Sequence, residues 1–275
     1  MAEFRFHPTP VSGLEAVSAT SAHVFPKHSH DTYGIGFLSA GGQISASGRG
    51  QVEAEAGQLI TVNPGEVHDG APLGRMARSW HMLYLTPALV SACVSDHVSS
   101  TAELEFEFPV FTNPAIRSQL TALHTKVNGA DAAGEANAVH EALILLLGRT
   151  LSRRTAPPPP LPATLRRVRE RLDDDPAASV NLATLARETG LSRFQLIRAF
   201  HQHTGLTPHA YHMQGRANLS RRLLRHGLPP AEVAAACGYV DQSHMHREFR
   251  RRFGITPGAY RNAWLSRNPV QDHPP

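Results

Sequence analysis

Two groups of residues in this chain of 275 have types and spacings that can do chemistry. The first is histidine. His28 and His30 stand one residue apart in Phe25-Pro26-Lys27-His28-Ser29-His30, and His68 closes Asn63-Pro64-Gly65-Glu66-Val67-His68 further on. Three neutral imidazoles can ligate zinc, iron, copper or nickel and leave a fourth position open. With Tyr33, Trp80 and Tyr84 they can equally line a pocket for an anionic or polar small molecule. The second group is a set of polar and basic side chains carried by a pattern that is written twice. The first copy holds Leu185, Ala186, Gly190, Phe200, Gly205, Thr207-Pro208 and Tyr211; the second holds Val233, Ala234 and Gly238, then after one inserted residue Phe249, Gly254, Thr256-Pro257 and Tyr260.

Each copy reads as helix, tight turn, helix, with small apolar residues first, a turn glycine, and an aromatic anchor on the second helix. That is the layout of a helix-turn-helix unit, whose second helix can lie in the major groove of DNA. Two such units joined by one helix place their recognition helices roughly 34 Å apart, one turn of the duplex. In the first recognition helix Ser192 is the expected N-cap, and Leu196 and Phe200, one helical turn apart, face inward. Phe194, Ile197, Arg198 and His201 remain for the DNA, with Ile197 equally readable as core. Arg198 has the fork that pairs with guanine O6 and N7, and Phe194 and Ile197 suit thymine methyls. The second recognition helix starts at a capping Asp241 and turns Met245 and Phe249 inward, leaving Gln242, Ser243, His246, Arg247 and Arg250 outward. Gln242 suits adenine, Arg247 guanine and Arg250 a phosphate. A helix over 208–225 joins the units, with Arg221 and Arg222 expected in solvent.

Charge follows the same division. Residues 163–267 contain 17 Arg and no Lys against 8 acids, a surplus of 9, whereas residues 1–162 carry 10 basic residues against 14 acidic ones. Basic residues concentrated on the helical repeat are what a phosphate-binding surface requires.

Residues 163–267 resemble the DNA-binding domain of the AraC/XylS family of transcription regulators. The resemblance is carried by Gly238-Tyr239-Val240-Asp241-Gln242-Ser243-His244, followed by Arg247, Phe249, Gly254, Thr256-Pro257 and Tyr260-Arg261. It implies a one-component regulator in which a small-molecule effector bound by an N-terminal sensor changes how DNA, and with it RNA polymerase, is engaged. It also implies a structural or phosphate role for His244, and an internal pair or phosphate contact for Arg216. The family's sensor is commonly a cupin, and His28-Ser29-His30 followed by Pro64-Gly65-Glu66-Val67-His68 resembles the two cupin motifs. The first motif lacks its usual glutamate, since no Glu occurs between Phe25 and Arg49. A metal-dependent cupin enzyme fused to a DNA reader is the rival reading, and that missing carboxylate counts against it.

The elements that must position these groups are legible in part. Positions 33–37 alternate Tyr33, Ile35 and Phe37 with small residues, 43–47 reads as the returning strand, and 57–68 and 80–85 add further strands between Gly/Pro turns, the pattern of a small β-barrel. The segment ahead of Phe25 shows no pattern. Helices are expected over 87–97 and 114–127, and over 135–154, where Ala138, Val139, Ala142, Leu143, Leu145, Leu146 and Leu147 form more than one apolar stripe. Such a helix can pack on the barrel and on a second subunit, and the corresponding helices of the family form dimers. The expected fold is therefore α+β in two domains. A cupin-like β-barrel with packed helices spans 1–155, a proline-rich linker 156–162, an all-α domain with two helix-turn-helix units 163–267, and a disordered tail 268–275. A helix over 166–172 opens the second domain. Cys93 and Cys237 fall in different domains, which argues against a structural disulfide. The sequence shows no signal-peptide pattern and no apolar run of membrane-spanning length, so a soluble cytoplasmic homodimer is the expectation.

Overall fold

A computed structural model describes residues 3–7, 9–48, 50–94, 104–127, 136–154 and 160–265. The chain forms two compact units, one of residues 1–24 and 29–157 and the other of residues 158–275, with which the short segment 25–28 is grouped.

The first unit is built on two antiparallel sheets. The larger is ordered β1 (Glu3–His7), β2 (Leu14–Ser21), β9 (Arg78–Leu85), β4 (Tyr33–Ala40), β7 (Leu59–Val62) and β11 (Val110–Phe111). The smaller runs β3 (Phe25–His28), β8 (His68–Pro72), β5 (Gly42–Ser47) and β6 (Gly50–Glu55). In β4 the odd positions Tyr33, Ile35 and Phe37 enter the hydrophobic core, as do Leu14 and Ala16 of β2 and Leu83 and Leu85 of β9. The register pairs them side by side, Leu14 with Leu85, Ala16 with Leu83 and Ile35 with Leu83. Helices α1 (Pro87–Val94), α2 (Pro114–Val127) and α3 (Ala136–Thr150) close this face, contributing Val90, Leu120, Leu123, Leu143, Leu146 and Leu147 to one cluster. Because side chains alternate across a strand, Arg78, Trp80, Met82 and Tyr84 of β9 share the other face. That face looks toward the smaller sheet, as the bond from Arg78 Nε to Gln43 Oε1 of β5 shows (2.8 Å).

Three expectations change. Strands β1 and β2 occupy the segment ahead of Phe25, where no element was expected; β2 is buried on both faces and so has no polar alternation. The helix expected over 87–97 is described as far as Val94. The helix expected over 135–154 stops at Thr150, and Leu151–Arg153 becomes β12, paired antiparallel with β10 (Leu104–Phe106). The linker positions 155–159 and the tail lie outside the described residues.

The second unit is helical: α4 (Ala163–Asp174), α5 (Leu182–Thr189), α6 (Arg193–Thr204), α7 (Pro208–Arg225), α8 (Pro230–Ala236), α9 (Gln242–Phe253) and α10 (Pro257–Leu265). Leu165, Val168, Leu172, Leu185, Leu196 and Phe200 form one core of the unit. Around the second repeat Val233, Ala234, Met245, Phe249 and Tyr260 are buried.

Candidate nucleic-acid interface and sensor site

The first helix-turn-helix is α5 and α6. Asn181 caps α5 by accepting from the Ala183 amide (2.8 Å), and Ser192 caps α6 in a reciprocal box with Gln195. Accepting orphan amides in this way fixes where a recognition helix begins, and therefore which side chains point outward. Phe194, Arg198 and His201 are exposed, and Phe194 is 72% exposed, which is far more than a core aromatic shows. Ile197 is not part of that face. It is half-buried and, with Val180, Leu182, Leu185 and Pro208, lines a cavity of about 180 Å³, so the apolar surroundings claim it as packing.

The second helix-turn-helix is α8 and α9. Asp241 caps α9 by accepting from the His244 amide (2.6 Å), the role expected of it. Met245 and Phe249 are fully buried, which leaves Gln242, Ser243, His246, Arg247 and Arg250 exposed together on the opposite side. Val240, just before the cap, is 87% exposed and extends this surface. His244 stacks edge-on against the Tyr239 ring (5.4 Å between centroids), a structural placement.

Several arginines hold the scaffold and are not free to read DNA. Arg216 of α7 donates to the carbonyls of Pro176, Ala177 and Ala178 (3.0, 3.2 and 3.0 Å), tying the loop after α4 to the central helix. Gly238 closes the same junction: its φ is 70°, and a Cβ there would stand 2.1 Å from the Ala177 oxygen. Arg252 is buried and donates to Gln214 Oε1 of α7 (3.0 Å), with Glu248 beside it (3.6 Å). Burial by itself would raise the Glu248 carboxyl, but Arg251, Arg252 and His244 outweigh it and hold the group below the usual range. Arg221, expected in solvent, lies over the rings of Phe253 and Tyr260 (5.1 and 5.9 Å). A guanidinium placed over an aromatic face gains both packing and electrostatic attraction.

The ligand-capable atoms of His28, His30 and His68 all lie within 4.8 Å of one another. His28 is held by Nδ1 donating to the Pro26 carbonyl (2.7 Å), and His68 by Nδ1 donating to the Glu66 carbonyl (3.0 Å). His30 faces the His68 ring at 5.0 Å and the Tyr84 ring at 5.5 Å between centroids. Burial pushes the His68 imidazole below its usual pKa, against the raising influence of Glu66 and Asp69.

Two of the aromatic residues grouped with these histidines stand elsewhere. Tyr33 has the parity of Ile35 and Phe37, so it packs in the core, edge-on to Phe106 (5.8 Å), with its hydroxyl donating to the Leu104 carbonyl (3.2 Å). Trp80 shares a face with Tyr84 but is four positions back along β9, roughly 13 Å. Its ring meets Phe4 (6.0 Å) and the Arg78 guanidinium (5.0 Å).

Sequence reasoning missed two clusters. Arg78 is 1% exposed and donates to Gln43 Oε1 and to the carbonyls of Ser21 and His23 (3.4 and 3.1 Å), and burial lowers its pKa to about 10. Its signal was available, because it shares the parity of Trp80 and Tyr84. On the opposite face His7, Ser18 and His81 form a chain of hydrogen bonds (2.8 and 2.9 Å), and His124 of α2 stacks edge-on against both His7 and His81. Burial, with His81 nearby, pushes His124 down to about 4. No short-range spacing marks residues so far apart in the chain. Cys93 and Cys237 are both buried and unpaired with each other, and burial raises both thiols.

Comparison with known proteins gives these surfaces a context. A family model described as an AraC-like ligand binding domain matches residues 12–148, and one described as a helix-turn-helix domain matches 185–263. The HTH-type transcriptional regulator YbfI of Bacillus subtilis is 28% identical over 223 residues, 80% of this chain and 81% of that protein. The HTH-type transcriptional activator RhaS of Escherichia fergusonii is 39% identical over 87 residues, 31% of either chain. Among solved structures, ToxT of Vibrio cholerae has a TM-score of 0.57 at 9% identity, covering 92% of this chain and 99% of that one, a likeness of fold.

Proposed function

The chain belongs to the AraC family of ligand-responsive, DNA-binding transcription regulators, and from that premise we propose how its parts divide the work. The α6 and α9 helices enter successive major-groove segments of an operator. In α6 Arg198 pairs with a guanine, Phe194 meets a thymine methyl and His201 flanks them; in α9 Gln242 and Arg247 read bases while Ser243, His246 and Arg250 hold the backbone. The observation that carries this reading is the pair of side-chain-capped helices whose buried residues lie on one side, leaving these groups exposed together. The matched relatives are transcription regulators, which supports a regulator over an enzyme joined to a DNA reader.

The effector site we propose lies in the barrel interior around His28, His30, His68 and Tyr84. ToxT, which shares the fold, has been solved with an unsaturated fatty acid at a TM-score of 0.55, which supports a small organic acid as a class to test first. We further propose that the regulator is a homodimer in the cytoplasm. Ile144 and Leu145 of α3 are exposed (41% and 63%) while Val139, Leu143, Leu146 and Leu147 of the same helix fill the core, which supports α3 as the dimer contact. Among the described residues no helix is long and apolar enough to cross a membrane. The dimer then engages RNA polymerase when bound at a promoter, as the family assignment suggests.

The test is to select bound duplexes from a random-sequence pool with the full chain, then repeat with Arg198→Ala and Arg247→Ala. A motif with two conserved blocks about 10 base pairs apart is expected, each variant losing preference within one block. A pool that never enriches, or a motif that neither variant alters, overturns the assignment.

A further inference from the structure

We propose that the cavity between α5, α6 and α7 is a second ligand site, which takes one small aromatic ring bearing a single hydroxyl or N–H donor. It lies wholly within the helical unit, on the inner side of the first recognition helix. Its volume is about 180 Å³, and Val180, Leu182, Leu185, Ile197 and Pro208 give it apolar walls. An apolar cavity of about 150 Å³ is enough to hold benzene, so this one has room for a six-membered ring and one substituent atom. The lining passes from buried Leu185, Pro208 and His212 through half-buried Val180 and Ile197 to exposed His209, so a ligand has a way in from the surface.

His212 supplies the polar end. It is 5% exposed, and its Nε2 is buried with no hydrogen-bond partner among the described residues. The bonds of this ring go to the carbonyls of Pro176 and Ala178, so they belong to Nδ1. A carbonyl only accepts, which puts the proton on Nδ1. Burial, with the Arg216 guanidinium next, outweighs those carbonyls and keeps the imidazole below its usual pKa. Neutral at pH 7 and protonated on Nδ1, the ring offers Nε2 as an acceptor alone. Leaving a buried acceptor unmet is costly, and a bound hydroxyl or N–H relieves it. Thr207 brings a hydroxyl to the wall, but that oxygen already accepts from the Ala210 amide as the cap of α7 (3.2 Å).

The same chemistry decides what is refused. A carboxylate or phosphate has no proton to give Nε2 and loses its hydration among apolar side chains. An ammonium group has donors but suffers the same loss. The site therefore differs from the barrel in ligand class, taking a neutral phenol-like ring rather than an organic acid. Its place gives occupancy a consequence. Ile197 immediately precedes Arg198 on α6, the one lining the cavity and the other exposed, so a ligand packed on Ile197 bears on the helix that presents Arg198. It changes DNA affinity only as far as it prefers one setting of α6 against α5 and α7 over another.

The experiment follows the isoleucine δ1 methyl signals of full-length, methyl-labelled chain by NMR as phenol is added, with toluene as the ring that lacks the donor. The Ile197 signal is identified by its loss in Ile197→Val. Expected is a saturable shift of that signal with phenol, and binding of toluene roughly threefold to tenfold weaker, the worth of one net hydrogen bond. His212→Phe keeps a ring and removes the acceptor, so it should bring phenol down to the affinity of toluene. Val180→Phe fills the cavity and should abolish both; circular dichroism checks that each variant folds. An Ile197 methyl that stays still, or moves without saturating, overturns the proposal. Equal affinity for phenol and toluene in the wild-type chain overturns the donor requirement, and with it the ligand class, with no variant needed. Shifts that persist unchanged in folded Val180→Phe place the ligand elsewhere and overturn it too. Neither DNA nor effector enters the measurement, so failure here leaves the regulator reading standing.

Discussion

Gly190 and Gly238 end the first helix of each helix-turn-helix unit, with φ of 69° and 70°, yet replacing each by alanine should have very different consequences. At Gly190 no atom lies within 4 Å of the Cβ that would be added, so Gly190→Ala carries only the cost of a left-handed alanine, about 1 kcal/mol. At Gly238 the same backbone cost applies, and the Cβ would also stand 2.1 Å from the Ala177 oxygen and 3.0 Å from its carbon. Backbone cannot swing aside as a flexible side chain can. Moving that carbonyl by the roughly 1 Å required pulls it from Arg216 Nη2, a charge-assisted bond worth about 1.5–3 kcal/mol. Gly238→Ala should therefore cost about 2.5–4 kcal/mol, the sum of the two effects. The chain has two tryptophans, Trp80 in the first unit and Trp264 in the second, so a Trp80→Phe background makes fluorescence report the helical unit alone. Urea unfolding of the two alanine variants in that background gives the difference directly. Should the two variants differ by no more than a neutral surface substitution does, about 0.5 kcal/mol, the Ala177 junction is not rigid and the reasoning fails.

Three further outcomes are expected. Arg198→Ala and Arg247→Ala should each lose roughly 1–3 kcal/mol of affinity for the selected site, measured by fluorescence anisotropy, with little change on random DNA; equal losses on both would make them phosphate contacts. Ile144→Asp with Leu145→Asp should yield monomers in sedimentation velocity with the melting temperature nearly unchanged, whereas Leu143→Asp, at a position with no exposure, should unfold the first unit. His124, held down to about 4, stays neutral in the fold while the unfolded chain takes up a proton below about 6.5, so stability present at pH 7 drains away toward pH 4. Its share is roughly 2 kcal/mol after allowing for residual solvation, and guanidinium unfolding of wild type against His124→Gln at pH 7 and pH 4.5 should show the gap between them close in acid.

The helical unit was nearly all legible because its determinants are local. Ser192 and Asp241 cap the helices expected of them, the helix over 208–225 is found with those bounds, and periodicity alone separates Leu196 and Phe200 from Arg198. What periodicity misjudged there was long-range. Arg221 packs against Phe253 and Tyr260, two and three helices further along the chain, and Ile197 is drawn inward by Val180 and Pro208. A helix face is set by its own sequence, but how much of that face remains exposed is set by its neighbours.

In the barrel the determinants are mostly non-local, and the misses follow from that. Strand β2 is Leu-Glu-Ala-Val-Ser-Ala-Thr-Ser, small residues buried on both sides between β1 and β9, so neither alternation nor an aromatic betrays it. The convergence of His28, His30 and His68 was legible because two short motifs name the loops of one barrel, whereas Tyr33 was misplaced by counting it near His30 in sequence when strand parity sends it to the other face. Parity applied consistently would have corrected this and also found Arg78, two positions before Trp80 on the same side of β9. The cluster of His7, Ser18, His81 and His124 obeys no such rule, since it joins β1, β2, β9 and α2 through pairings that exist only once register is set. Sequence can therefore nominate a site that two short motifs name, but one assembled across four elements is a property of the sheet's register and has to be seen.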